Sequence, residues 1–133
     1  MTPLPATFSD KFQSWPAPVA QTALAIRTHL MQAAQDLDIQ NLEESLKWGE
    51  PAWRPRKGGT TLRLSWKPGS DEIGLFVDCK TDLNARMMSD YPDAFRYHPP
   101  RAMYHSVADE DLPVAALTHL ARITFRYSRV IPR

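Results

Sequence analysis

The sequence predicts an α+β fold in a single domain, with an antiparallel or mixed sheet of about four to five strands covered by N-terminal and C-terminal helices. Three observations carry that prediction. Val19, Ala23, Ile26, Leu30, Ala33 and Leu37 recur at helical spacing near the start of the chain. In the middle, Leu62, Leu64 and Trp66 alternate with Arg63, Ser65 and Lys67, and Ile73, Leu75, Val77 and Cys79 alternate again after the turn Pro68-Gly69-Ser70-Asp71. Toward the end, Pro113 stands where a helix starts, and Leu117, Leu120, Ala121, Thr124 and Phe125 continue it.

The elements follow in order. Pro16 and Pro18 stiffen the approach to a helix from about Val19 to Leu37, whose polar Gln21, Arg27, Thr28 and Gln32 lie between the apolar positions. Asn41 stands three residues before Glu44, the spacing of a capping box, which predicts a short second helix ending at Lys47 or Trp48. Gly49 would close that helix and Pro51 would hold Glu50 extended. On this reading Lys47-Trp48-Gly49-Glu50-Pro51-Ala52-Trp53 is an elbow between helix and sheet, with Trp48 plugging the junction and Trp53 on a cleft wall. The alternating segments form a hairpin whose apolar face includes Leu64, Leu75 and Cys79. Thr81 or Asp82 caps a short helix with Leu83, Met87 and Met88, and Tyr91-Pro92 ends it. Phe95 to His98 and Ala102 to Val107 read as strands around Pro99-Pro100, and the acids Asp109-Glu110-Asp111 complement the dipole of the last helix.

Composition bounds the function. The 133 residues, 43% apolar and 23% charged, have room for one domain with a core. A formal charge of +1 supplies no net field toward nucleic acid or an anionic membrane, so neither is expected as a partner. The lone Cys79 and the absence of a signal-like or membrane-spanning run point to a cytoplasmic protein. The basic group Arg54, Arg56, Lys57, Arg63 and Lys67 has the make-up of a single-stranded nucleic-acid surface. Strand parity assigns its Arg63 and Lys67 instead to a solvated sheet face.

Glu44-Ser45-Leu46-Lys47-Trp48-Gly49-Glu50-Pro51-Ala52-Trp53 resembles the signature of the YdhG-like domains of unknown function: an acidic residue, then Lys-Trp-Gly, any residue, Pro, any residue, aromatic. The resemblance runs more loosely through the Ile73-Gly74-Leu75-Phe76-Val77 strand, the Met103 strand and the helix from Pro113. It implies a fold more than an activity, although the family includes a bacterial frataxin-like iron chaperone. An iron carrier needs clustered carboxylates. The first helix offers only Asp36 and Asp38 near its end, with Arg27 and His29 in its middle.

Three functional readings stand at this point. The leading one is a non-enzymatic binding or adaptor domain for a small molecule or protein partner, monomeric or homodimeric. Its ligand-binding candidates are Lys47, Trp48, Gly49, Glu50, Trp53, Tyr104 and His105. A frataxin-like iron carrier is the first alternative, and a small enzyme using His105, Tyr104 and Glu50 is the second. No cofactor or metal is expected, since no phosphate loop, metal-ligand spacing or nucleophile elbow occurs.

Overall fold

The computed structural model describes residues 2–128. Its elements run α1 (Ala6–Gln13), α2 (Ala17–Asp36), β1 (Leu42–Lys47), β2 (Glu50–Pro55), β3 (Leu62–Ser65), β4 (Glu72–Phe76), α3 (Leu83–Asp90), β5 (Arg96–His98), β6 (Ala102–Ser106) and α4 (Val114–Phe125). Among the described residues the sheet has six strands in the order β1-β2-β3-β4-β6-β5, every pair antiparallel. The α+β class is as the sequence predicts, with one or two more strands.

Register separates the two faces of the sheet. Residues opposite one another in a ladder share a face, and the pairs Trp53–Leu62, Leu64–Leu75 and Ile73–His105 place one set inward. Trp53, Leu62, Leu64, Ile73, Leu75 and Met103 are buried in one core with Val19, Ala23, Ile26 and Leu30 of α2 and Leu117, Leu120 and Phe125 of α4. Small residues at Ala23, Ala33, Ala116 and Ala121 leave room for α2 and α4 to pack together over the sheet. The Arg126 guanidinium donates to the Leu37 carbonyl at 2.7 Å, filling one of the orphan acceptors at the end of α2. The predicted hairpin is present, with Leu64 and Leu75 paired and both buried.

Three segments differ from expectation, each for a physical reason. First, the stretch from Asn41 to Lys47 is strand β1. Asn41 takes a left-handed φ of 58° instead of capping a helix. Glu44 points to the core side, where it pairs with Arg27 of α2 at 2.6 Å and accepts a hydrogen bond from Trp53 Nε1 at 3.0 Å. A long-range ion pair between two almost fully buried groups outweighs a local cap. Second, α1 precedes the proline segment, because Phe8 and Phe12 at i, i+4 bury one turn of helix against the sheet. Phe8 meets Trp53 edge to face at 5.5 Å, and the aromatic chain continues through Phe12 and Trp15 to Trp66. Third, β4 ends at Phe76, so Cys79 lies in the following turn and is exposed instead of packing on the apolar face.

The loop between β2 and β3 is tied to α4. The Gly59 and Thr60 amides donate to the Tyr127 and Thr124 carbonyls at 3.1 and 3.0 Å. Gly59 has φ +62°, and a Cβ there would collide with the Phe125 carbonyl.

Candidate ligand site on the open sheet face

Leu42, Glu44 and Leu46 face the helices, so Glu43, Ser45 and Lys47 face the other way. With them on that side stand Glu50, Ala52 and Arg54 of β2, Arg63 and Ser65 of β3, Gly74 and Phe76 of β4, Tyr104 of β6 and Arg96 of β5. The buried residues of the four helices share their core with the opposite set of strand residues.

The β1–β2 connection is a two-residue hairpin turn, with Lys47 opposite Glu50 and with Trp48 and Gly49 at φ 55° and 75°. Two left-handed residues are what a type I′ turn requires, and Asn-Gly is its low-strain sequence. A tryptophan in the first position costs about 1–2 kcal/mol of backbone strain. The indole recovers nothing from the fold, being 90% exposed. The glycine at 49 has open space around it and serves the turn.

Behind the turn, Glu50 Oε1 lies 2.8 Å from Arg63 Nε, and the Ser65 hydroxyl donates to Glu50 Oε2. The Arg63 Nε–H is not aligned for a hydrogen bond to that carboxylate, so the contact is an ion pair of proximity. The guanidiniums of Arg63 and Arg101 approach the Phe76 ring to 5.2 and 5.9 Å from its centre. Arg54 donates to Thr61 Oγ1 at 3.1 Å, which steadies it on the same side. Lys47, Trp48, Arg54, Arg63, Phe76 and Arg101, with Asp78 and Cys79, line a shallow hollow of about 280 Å³.

A second polar cluster adjoins it. Arg96 grips Glu72 through both carboxylate oxygens, at 2.7 to 3.1 Å, and its guanidinium carbon lies 4.6 Å from the centre of the Tyr104 ring. The Arg96 hydrogen bonds hold the Glu72 carboxyl below the ordinary glutamate value despite some burial. Tyr104 meets Phe76 edge to face at 6.0 Å, so the two clusters touch through their rings.

Two larger hollows are present, one of which shares Arg54, Thr60 and Asp78 with the hollow just described. One, of about 640 Å³, runs between the C-terminal half of α2 and β1, and its cation Arg27 is held by Glu44 and the carbonyls of Thr2 and Pro3. The other, of about 790 Å³, lies beside Gly58 and Gly59, where the amides of Gly59 and Thr60 already donate to α4 and its C-terminal extension.

The seven sequence candidates are thus divided. Lys47 and Trp48 line the hollow, Gly49 shapes the turn, and Glu50 sits behind it on Arg63. Trp53 is fully buried on the helix side, so the expected roles of the two tryptophans are exchanged: Trp53 is the plug and Trp48 the exposed ring. Tyr104 is on the open face in the neighbouring cluster. His105, one residue on, points to the helix side, is 6% exposed, and has Nε2 at 2.9 Å from the Asp109 carbonyl. Glu50, Tyr104 and His105 therefore do not converge. Sequence reasoning missed Phe76 and Arg101, which come together because the Val77 amide donates to the Arg101 carbonyl at 2.9 Å. The only signal for Arg101 was its place after the Pro99-Pro100 turn.

Among the described residues, no three His, Cys, Asp or Glu side chains stand close enough to hold a metal ion, and no helix is long and apolar enough to cross a membrane. In the acidic run, Asp109 Oδ1 accepts from the Asp111 amide at 3.0 Å. The chain matches no protein-family model, no curated protein and no solved structure.

Proposed function

We propose that the protein is a small binding domain that takes an anionic small molecule on the open face of its sheet, in the hollow beside the Lys47-Trp48-Gly49-Glu50 turn. One observation carries the reading: Lys47, Arg54, Arg63 and Arg101 converge on one hollow next to an indole that the fold does not use. Guanidiniums are suited to flat or tetrahedral oxyanions because their N–H groups form a rigid fork. Binding, not catalysis, is favoured because Glu50, Tyr104 and His105 occupy three different surroundings. The same hairpin is what supports membership of the YdhG-like domains, and the lone exposed Cys79 fits a cytoplasmic setting.

Calorimetric titration with inorganic pyrophosphate at low ionic strength tests this reading. Saturable binding at one site is expected, weakened at least tenfold in the double variant Arg54→Gln, Arg101→Gln and falling as salt is raised. No binding, or equal binding by parent and variant, would overturn it.

A further inference from the structure

We infer that the ligand of this hollow is a free nucleoside phosphate, with its phosphate among the cations and its base stacked on Trp48. This rests on the anion-binding reading above and adds the chemical class of the ligand.

The first step is charge. Lys47, Arg54, Arg63 and Arg101 outnumber the nearby carboxylates Asp78, Glu50 on Arg63 and Glu43 opposite Arg54. A phosphate monoester brings a charge of about −1.5 to −2 at neutral pH and three acceptor oxygens for several guanidinium forks, whereas a single carboxylate brings one charge and two oxygens.

The second step is the indole. The face of an aromatic ring is electron-rich and repels an anion, so an inorganic ion could use only the indole N–H of Trp48 and leaves its flat face idle. Nor does Trp48 serve the fold, since it is 90% exposed in a turn position where asparagine is better accommodated. A ligand that uses both the cations and the indole has a flat ring attached to its anion. Bases stack on indoles whatever their sequence identity, and that is the chemistry of a nucleotide.

The third step is size. The hollow, at about 280 Å³, lies at the lower end of the ~300–1,000 Å³ typical of small-molecule pockets. It accommodates a phosphate and its sugar, leaving the base outside, against the exposed indole of Trp48. Phe76 is less suited to stack, because Arg63 and Arg101 already lie against its ring.

The test is a calorimetric comparison of adenosine 5′-monophosphate, ribose 5-phosphate and single-stranded octa-adenylate on the parent and on Trp48→Ala, whose melting is expected to match the parent's. The monophosphate is expected to bind about tenfold more tightly than ribose 5-phosphate, the size of one base–aromatic stack. In Trp48→Ala that advantage is expected to vanish, the monophosphate binding no more tightly than ribose 5-phosphate. Equal binding of the two phosphates by the parent, or an undiminished advantage in Trp48→Ala, overturns the nucleotide assignment and leaves the anion reading standing. Octa-adenylate binding more than tenfold tighter than the monophosphate overturns the free-ligand assignment in favour of a strand. Failure of all three together with pyrophosphate overturns both.

Discussion

Trp48 and Trp53 lie five residues apart, and truncating them is expected to give opposite results. Trp53 is fully buried, stands edge to face with Phe8 at 5.5 Å, and donates to Glu44 Oε2 at 3.0 Å. Removing such a ring costs about 3–5 kcal/mol in lost burial and cavity. Leaving the Glu44 oxygen without its donor adds about 1–3 kcal/mol. A loss of about 4–8 kcal/mol is comparable with the whole stability of many domains, about 5–15 kcal/mol, so Trp53→Ala is at the edge of folding. Trp53→Phe retains a ring and isolates the smaller loss, expected at about 2–3 kcal/mol. Trp48→Ala is expected within about 0.5 kcal/mol of the parent, as for other surface changes, and Trp48→Asn is expected to stabilise by about 0.5–1 kcal/mol by relieving left-handed strain. Urea unfolding followed by far-ultraviolet circular dichroism measures all four without relying on the indoles. A cost below 2 kcal/mol for Trp53→Ala, or above 1 kcal/mol for Trp48→Ala, refutes the assignment of plug and exposed ring.

Three further expectations follow from the core and its margins. Glu44→Gln leaves Arg27 buried without its countercharge and is expected to destabilise by about 3–5 kcal/mol, measured by the same unfolding. Gly59→Ala is expected to cost well over the ~1–2 kcal/mol of left-handed strain alone, while Gly58→Ala, at φ +64° with open space around it, costs only that strain; equal losses would show that the close approach to Phe125 does not matter. Burial pushes the Tyr97 phenol up to about 12, and it donates to the Tyr91 and Met87 carbonyls at 2.6 and 3.1 Å. The unfolded chain releases this proton near pH 10, before the folded one does, so Tyr97 contributes stability below pH ~10 that is lost as pH rises toward ~12. Unfolding at pH 9 and 11 is therefore expected to show the parent losing more stability than Tyr97→Phe.

How much of this was legible in the sequence depended on which forces acted locally. Long α2, the hairpin of Leu64 and Leu75, and α4 were readable because apolar period and turn chemistry agree there. The β1–β2 hairpin was not, since Asn41 and Glu44 offered a local helix cap and the partner that claims Glu44 is Arg27, 17 residues earlier. A residue before Gly49 other than tryptophan, asparagine above all, would have announced the turn. The exchange of the two tryptophans follows directly: once β1 is a strand, Trp48 is at the tip of a ribbon and Trp53 faces the helices. Helix α1 was hidden because only Phe8 and Phe12 mark its apolar face. In the candidate site, Lys47 and Trp48 were found from residue type, whereas Arg101 reaches Phe76 only through the antiparallel pairing of β4 with β6.

The central claim is that the open sheet face beside the Trp48 turn binds an anion, and the most direct measurement maps where one binds. In a nuclear magnetic resonance titration of the isotope-labelled protein with pyrophosphate, the saturating shifts are expected at the Trp48 indole N–H and at the amides of Lys47, Arg63, Phe76 and Arg101. The amides around Arg27 and Gly59 are expected to stay in place. Saturating shifts confined to either of those other two hollows, or shifts spread evenly over the surface without saturation, would contradict the account.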